Sequence, residues 1–305
     1  MPVPHVSTAF GDLLDPRFQK IRDDEYGRLP DMLPSLYNFE PSNGRNTMQW
    51  SSVGSIADFS EFSGTIGYES QSQGYDTTLT YVEFANGIQI ERKLFDDDQY
   101  NVMDQRPRAI AASAYRTRQA HGARIFNNMT TVDNYFANNT EGVSLVSNSH
   151  TTTSGASTAS GFDNLVTTAL SAVAVAAARI QMVGFRGDVA ERIAIMPDEL
   201  WYGPDLAEQA YEIIAASGKV DTALNNPNFH QGKYKGYEWN FMNDTNNWAM
   251  CDSAMRRMSL HWVDRVGLEF GMIEDFDTMV AKWRAYMRYG AAWIDWRWIL
   301  GAAVA

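Results

Sequence analysis

Apolar and polar positions divide this chain into stretches of different rhythm. From Met279 to Trp298 the period is two: Trp283, Ala285, Met287 and Tyr289 alternate with Lys282, Arg284, Tyr286 and Arg288. That predicts a strand with one buried face, with Gly290 marking a bend or bulge. After Asp96 the rhythm is helical. Asp96 is placed to cap a short first helix, Pro107 then suits the first turn of a helix, and from there the residues to about Phe126 are nearly all helix formers. About 20 such residues span roughly 30 Å. Ala109, Ala111, Ala112, Ala114, Ala120 and Ala123 would let other backbone pack close. Arg106, Arg108, Arg116, Arg118 and Arg124 make the helix basic, and no acid interrupts them.

Before this helix the pattern is broken. Met1 to about Trp50 is punctuated by proline and lacks sustained periodicity, apart from a short helix expected over Asp15–Tyr26. Yet Phe10, Leu13, Leu14, Phe18, Ile21, Leu36, Tyr37 and Phe39 are too much apolar surface for a disordered tail. An extended arm that packs on something else, or an irregular part of the main domain, fits better. Trp50 to Leu94 predicts strands over Phe62–Ser70 and Tyr75–Phe84, with QSQG between them as a hairpin tip and Asn86-Gly87 as a second turn. A lone hairpin is marginal in water, so this one should rest on another surface.

Beyond the long helix, Asn138 to Gly161 is a Ser/Thr/Gly-rich connector. A helix is expected over Phe162–Val183, capped by Asp163 or Asn164, and closed by Gly184–Gly187. Arg192–Met196 predicts a short buried strand. Pro204 opens a helix to about Ala216, stopped by Gly218. Asn225–Asp244 predicts a loop and then a strand, and Trp248–Cys251 and Leu260–Val263 are short strands. The class is α+β.

Composition adds limits. The chain has 305 residues, 45% hydrophobic and 20% charged, which suits one large or two medium globular domains. Nine tryptophans point either to interfaces or to an aromatic core. A net charge of −12 argues against gripping nucleic acid through the overall field. Cys251 is the only cysteine, which rules out an intrachain disulfide and a cysteine metal cluster. The first residues do not resemble a signal peptide, and the longest apolar run, Ala172–Ala178, is too short to span a membrane. A soluble protein made in the cytoplasm is expected.

Candidate chemistry is sparse. Asp96, Asp97 and Asp98 are adjacent, so on a helix they diverge, and capping suits them better than a metal. The five histidines show no metal-protease spacing, and no nucleophile elbow, phosphate loop or dinucleotide fingerprint is present. No catalytic, cofactor-binding or metal residue is assigned, and Cys251 is expected to be a buried thiol. Glu61 and Glu69 either pair with basic groups on a neighbour or are simply solvated. The arginines of the long helix either face nucleic acid or pair with acids such as Asp96–Asp98.

The order of these elements resembles that of tailed-phage major capsid proteins of the Hong Kong 97 type, and within them the Mu-like head-subunit branch. The resemblance is carried by ANGIQIERKLFDDDQYN and the helix after it to RIFNN, by GVSLVSNSH, NLVTTALS, RIAIMPDELWYGPDLAEQAYEII, NNPNFHQGKYKG, NDTNNWAM and RYGAAWIDWRWILGA. Together they cover about residues 80–300 in order and spacing; the first 75 residues match only in style.

The resemblance implies a named architecture: an N-arm over residues 1–50, an extended loop over 51–93, a spine helix and peripheral domain over 94–161, an axial domain over 162–277, and a return strand of the peripheral domain over 278–305. It implies a shell of hexamers and pentamers around double-stranded DNA, with a scaffold protein, a portal and decoration proteins as partners, no membrane, and a place in the virion. Gln71, Gly74, Tyr75, Glu61, Glu69, Arg116, Arg118, Phe10 and Phe18 are the candidate contacts between subunits. A cellular compartment of encapsulin type is the alternative on the same fold. One branch of the family links a loop lysine to a neighbour's asparagine; here Ser51 to Arg92 contains no lysine, so no such cross-link is expected. The arm begins within a few residues of Met1, so a separate scaffold and an uncleaved N-terminus are expected. Deleting Gln71–Tyr75 is expected to leave a soluble subunit and impair shell closure.

Overall fold

The period-two stretch near the C-terminus makes the longest pairing in the protein. In the computed structural model, which describes residues 20, 24–25, 27–62, 64–91, 105–218, 226–275 and 280–304, the eleventh strand β11 (Val280–Trp293) runs antiparallel to β10 (Leu260–Asp275). The other edge of β11 takes β4 (Val82–Glu91), and β1 (Asn38–Pro41) lies parallel on β10. Along β11, Ala285, Met287 and Tyr289 are buried while Lys282 and Arg284 are exposed, as the alternation requires.

The long helix α2 (Gln105–Asn127; α1 is the single turn Leu33–Leu36) covers the buried face of this sheet. Ile110, Ala111, Ala114, Arg118, Gly122, Ala123 and Phe126 are buried at helical spacing. His121 Nδ1 lies 2.8 Å from the Tyr289 hydroxyl, and its ring lies 4.7 Å from Phe84. Arg118 donates both arms of its guanidinium to Asp264, at 3.0 and 3.1 Å, over the rings of Trp262 and Tyr289. Gly122 is the closest approach: a Cβ there would meet Leu33 Cδ2 and come within 3.0 Å of Trp239, while its carbonyl accepts from the Tyr37 hydroxyl at 2.8 Å.

A second sheet has the order β6-β12-β9-β7-β8: Leu165–Val166, Ile299–Ala302, Trp248–Cys251, Glu199–Tyr202 and Lys235–Glu238. Its inner strands, ELWY, WAMC and ILGA, are buried almost throughout, so they read as apolar runs with no alternation. Around it lie α3 (Ala172–Val183), a 3-10 turn at Pro204–Leu206 leading into α4 (Ala207–Ile214), and α5 (Ser253–Ser259). Glu199 and Arg256 form a buried pair at 2.7 Å, and Arg256 also donates to the Leu36 carbonyl. A third, small sheet joins β2 (Thr47–Val53), β3 (Gln73–Thr80) and β5 (Ala137–Asn139). Trp201, Trp239, Trp248, Trp262, Trp296 and Trp298 are buried, so most of the tryptophan serves the core.

Several local expectations are corrected. Phe62–Ser70 is not a strand; β3 pairs instead with Thr47–Val53, with Trp50 opposite Thr77, and residues 54–72 form the long connection. Asn86-Gly87 is no turn but lies inside β4, where Gly87 passes so near the Trp283 carbonyl that a Cβ would sit 2.9 Å from it. The helix expected from Phe162 starts only at Ala172, with Ser171 as its cap. Asn164 caps nothing: it is buried and donates to the carbonyls of Leu145 and Ile299 while accepting from Ser147 N–H, which suits the extended LVTT run that follows. Arg192–Met196 makes only an isolated bridge, Arg186 to Arg192, and the strand begins at Glu199. The α5 helix, capped by Asp252, has no forecast, and Leu260 opens a strand that runs on to Asp275. Gly290 is paired regularly with Val263; the irregular register lies across from it, between Asp264 and Glu269. Gly290 is needed instead because a Cβ would sit 2.7 Å from Leu79. Asp96–Asp98, Lys93, Phe10, Phe18 and most of the Asp15–Tyr26 segment lie outside the described residues.

Two outcomes test this packing. Gly122→Ala overpacks the joint against Leu33 and Trp239 and should destabilise the subunit by about 1–3 kcal/mol in urea unfolding. Burial, then the Arg124 charge, holds His121 down at about 4, against 6.5 for the free side chain. The unfolded chain therefore takes up the proton first, so this contribution is whole above about pH 6.5 and is lost as pH falls toward 4. Urea midpoints should drop from pH 7 to pH 4.5, and the drop should be smaller in His121→Gln.

Candidate assembly interface

Residues 54–72 leave the third sheet as a loop with both ends held. Gly54 N–H donates to the Ser72 carbonyl at 2.8 Å, which closes the base. Beyond that point the described residues of the loop form no helix or strand, and its apolar side chains are largely uncovered. Phe59 is fully exposed, Tyr68 is 94% exposed, and Ile56, Phe62 and Ile66 are more than half exposed. Burying one such side chain against a partner is worth roughly 1.5–3 kcal/mol. Asp58, Glu61 and Glu69 are the charges among them, and no basic residue lies between 54 and 72. The loop tip is thus both apolar and acidic.

The candidate residues divide. Glu61 and Gln71 are exposed on the loop, and Glu69 is exposed and accepts from Ala57 N–H at 3.2 Å. Gly74 and Tyr75 lie at the root, inside β3 and half-buried; the Tyr75 hydroxyl is 2.6 Å from Thr151 Oγ1. A deletion of Gln71–Tyr75 would therefore cut a strand rather than shorten a tip. Arg116 is exposed on α2, whereas Arg118 is 7% exposed and committed to Asp264 inside the fold. Arg118 is corrected to an interior residue: its helix position faces the sheet. Ile56, Phe59, Ile66 and Tyr68 escaped the sequence reading. Their signal was present in apolar residues spaced by Gly and Ser with neither period two nor 3.6.

Other apolar positions stand exposed away from the loop. Val173, Ile180 and Val183 lie along α3, and Met196, Tyr211 and Phe229 lie around the second sheet. A groove of about 300 Å³ between α2 and the first sheet is lined by Phe84, Ile110, Ala114, Leu268, Ala285 and Met287.

The titratable groups are spent on packing. His150 sits between Glu141, at 3.1 Å, and the Leu145 carbonyl, stacked 4.2 Å from Trp296. His230 meets the Ala172 carbonyl and His261 the Met258 carbonyl. Among the described residues no three His, Cys, Asp or Glu side chains are placed to hold a metal, and no helix is long and apolar enough to cross a membrane. Cys251 lies fully buried in β9, where burial and then the Glu199 charge push its thiol well above the ordinary value.

Long paired strands, a helix laid across them, a second sheet and an outlying loop together make the Hong Kong 97-type capsid fold. The capsid of a native GTA particle is similar at TM-score 0.57 and 14% identity, over 89% of each chain. The mature capsid of bacteriophage PhiM1 is similar at TM-score 0.58 and 8% identity, over 91% of this chain and 88% of that one. The capsid of cyanophage P-SCSP1u gives TM-score 0.52 and 14% identity, over 88% and 86%. No curated protein sequence matches this one. A family model described as phage capsid protein matches residues 75–302, and the chain belongs to that family. It is a major capsid protein, a structural protein of the bacteriophage head shell, and the cellular-compartment alternative is not favoured.

One reactivity follows from the geometry. Cys251 should resist a thiol reagent in the folded subunit at pH 8 and react in full once urea unfolds it; labelling followed by mass spectrometry reads this.

Proposed function

We propose that copies of this chain assemble into pentamers and hexamers that close an icosahedral head around double-stranded DNA, each loop 54–72 lying on an adjacent subunit. The exposed apolar loop tip carries this reading: Phe59, Phe62, Ile66 and Tyr68 stand largely in solvent. Head-to-tail contacts of this kind close into rings when the rotation between copies allows. A net charge of −12 fits a wall that confines DNA without reading its sequence. A scaffold protein, a portal and decoration proteins are the expected partners, and synthesis takes place in the host cytoplasm. The role is structural.

The strand pairings support a revised division. The loop hairpin takes in residues 47–80, following β2 and β3. The peripheral part holds α2 with the first sheet and β5, and so includes Leu260–Asp275. The axial part holds the second sheet with α3 and α4, and so includes the last strand, Ile299–Ala302.

Phe59→Ser with Phe62→Ser tests the loop. The double variant should stay soluble, melt within about 2 °C of the parent and yield few closed shells by negative-stain electron microscopy, with smaller species on size-exclusion chromatography. Closed shells of normal size and yield from this variant would overturn the loop's role. A parent chain that stays monomeric across concentrations, even with a scaffold co-expressed, would overturn the assembly itself.

A further inference from the structure

The returning arm of the loop is gripped at the root by side chains of a Ser/Thr-rich segment, the outgoing arm is held through the Asp188 backbone that the same segment bonds, and the grip ends on one ion pair. Arg297 is nearly buried. Its guanidinium donates to Asp188 Oδ1 at 3.0 Å, to both Asp295 oxygens at 3.1 and 3.2 Å, and through Nε to the Arg186 carbonyl at 2.6 Å. It lies over Trp296 and Phe162, 5.0 and 5.6 Å from their ring centres. Asp188, held in this way, offers its backbone to the loop. Its N–H donates to Ser55 Oγ on the outgoing arm at 3.0 Å, and its carbonyl accepts from Thr152 Oγ1 at 2.7 Å and from the Ser154 hydroxyl. The same connector holds the returning arm: Thr153 Oγ1 donates to the Gln73 carbonyl at 2.8 Å, and Thr151 Oγ1 meets the Tyr75 hydroxyl at 2.6 Å. The connector is itself fixed by buried His150, stacked on Trp296.

We propose that the Asp188–Arg297 pair and Thr151–Thr153 form a rigid mount that sets the direction in which the loop leaves the subunit. The proposal rests on the reading that the loop tip seats on a neighbour. Leverage gives it force. Nine residues out and nine back, at strand rise, reach about 30 Å, so a turn of roughly 10° at the root moves the tip by about 5 Å. That exceeds a side-chain contact distance of about 4–4.5 Å, so a loosened root loses the seat even when the tip is intact. It also accounts for the composition of the connector. Short hydroxyl side chains hold a neighbouring backbone with little rotamer entropy to lose.

The test is the full-length triple variant Ser55→Ala, Tyr75→Phe, Thr153→Val, which removes three hydroxyls of the root and leaves the ion pair. Its melting temperature should stay within about 2 °C of the parent. In the unassembled subunit, hydrogen exchange at the Asp188 and Gly54 amides should rise about tenfold, the change expected from losing one hydrogen bond of ordinary net strength. Assembly should give shells of mixed diameter and open sheets in place of one closed class. Arg297→Lys keeps the charge but not the fork, and should raise exchange at Asp188 likewise. Unchanged exchange in the triple variant would show that the hydroxyls do not hold the root. Faster exchange with a single normal class of shells would show that the mount does not set the loop's direction. Both results are independent of the tip variant Phe59→Ser/Phe62→Ser, whose normal assembly would remove the neighbouring seat and leave the exchange result standing.

Discussion

Helix α2 can serve as the joint of this fold only because other groups approach its backbone closely. At Gly122 the side chains of Leu33 and Trp239 occupy the space where a Cβ would be, and the Tyr37 hydroxyl bonds the carbonyl. At the adjacent residue His121 meets Tyr289 of the first sheet, and one turn on Phe126 stacks 5.4 Å from Trp201 of the second. A single helix therefore ties the N-terminal segment to both sheets. The buried Arg256–Glu199 pair repeats the connection from the other side by reaching the Leu36 carbonyl. Such a pair contributes little net stability where it is intact, but removing one partner strands a buried charge.

The features legible in sequence are those with a strong local rhythm. The long helix was visible from its alanines and Pro107, and the late strand from its alternation, because each buries one face. Errors fell where the local signal was shared between structures. WAMC and ELWY have no alternation because both faces are covered, so the first was found by apolarity and the second was misplaced onto the neighbouring RIAIM. Asn86-Gly87 has the composition of a turn, yet its glycine answers a close backbone approach made by a strand about 200 residues away in sequence. No local rule carries that information.

The loop was misjudged for a related reason. Its apolar residues were read as a strand because a single chain offers them no other use. The structure leaves them in solvent and pairs β3 with Thr47–Val53 instead. A segment left in solvent carries a pattern that matches no element of its own chain. The connector is a loop, as its serines and threonines indicate, but composition did not show that four of its hydroxyls, from Thr151 to Ser154, are spent on Gln73, Tyr75 and Asp188.

The exposed surface of a capsid subunit carries opposing tendencies. Phe59 and Tyr68 standing in water favour association, while Asp58, Glu61 and Glu69 beside them raise the solvation of the same surface and repel other acidic subunits. Each contact made this way is weak, and like-charge repulsion at long range is screened beyond about 8 Å at physiological salt. Weak contacts can be broken and remade, which lets misplaced subunits leave a growing shell. Only when a subunit sits between several neighbours do the contacts add, because each later contact forms at high effective concentration. Apolar side chains bring affinity, the interspersed acids keep each single contact reversible, and a rigid root keeps the loop's angle the same in every copy.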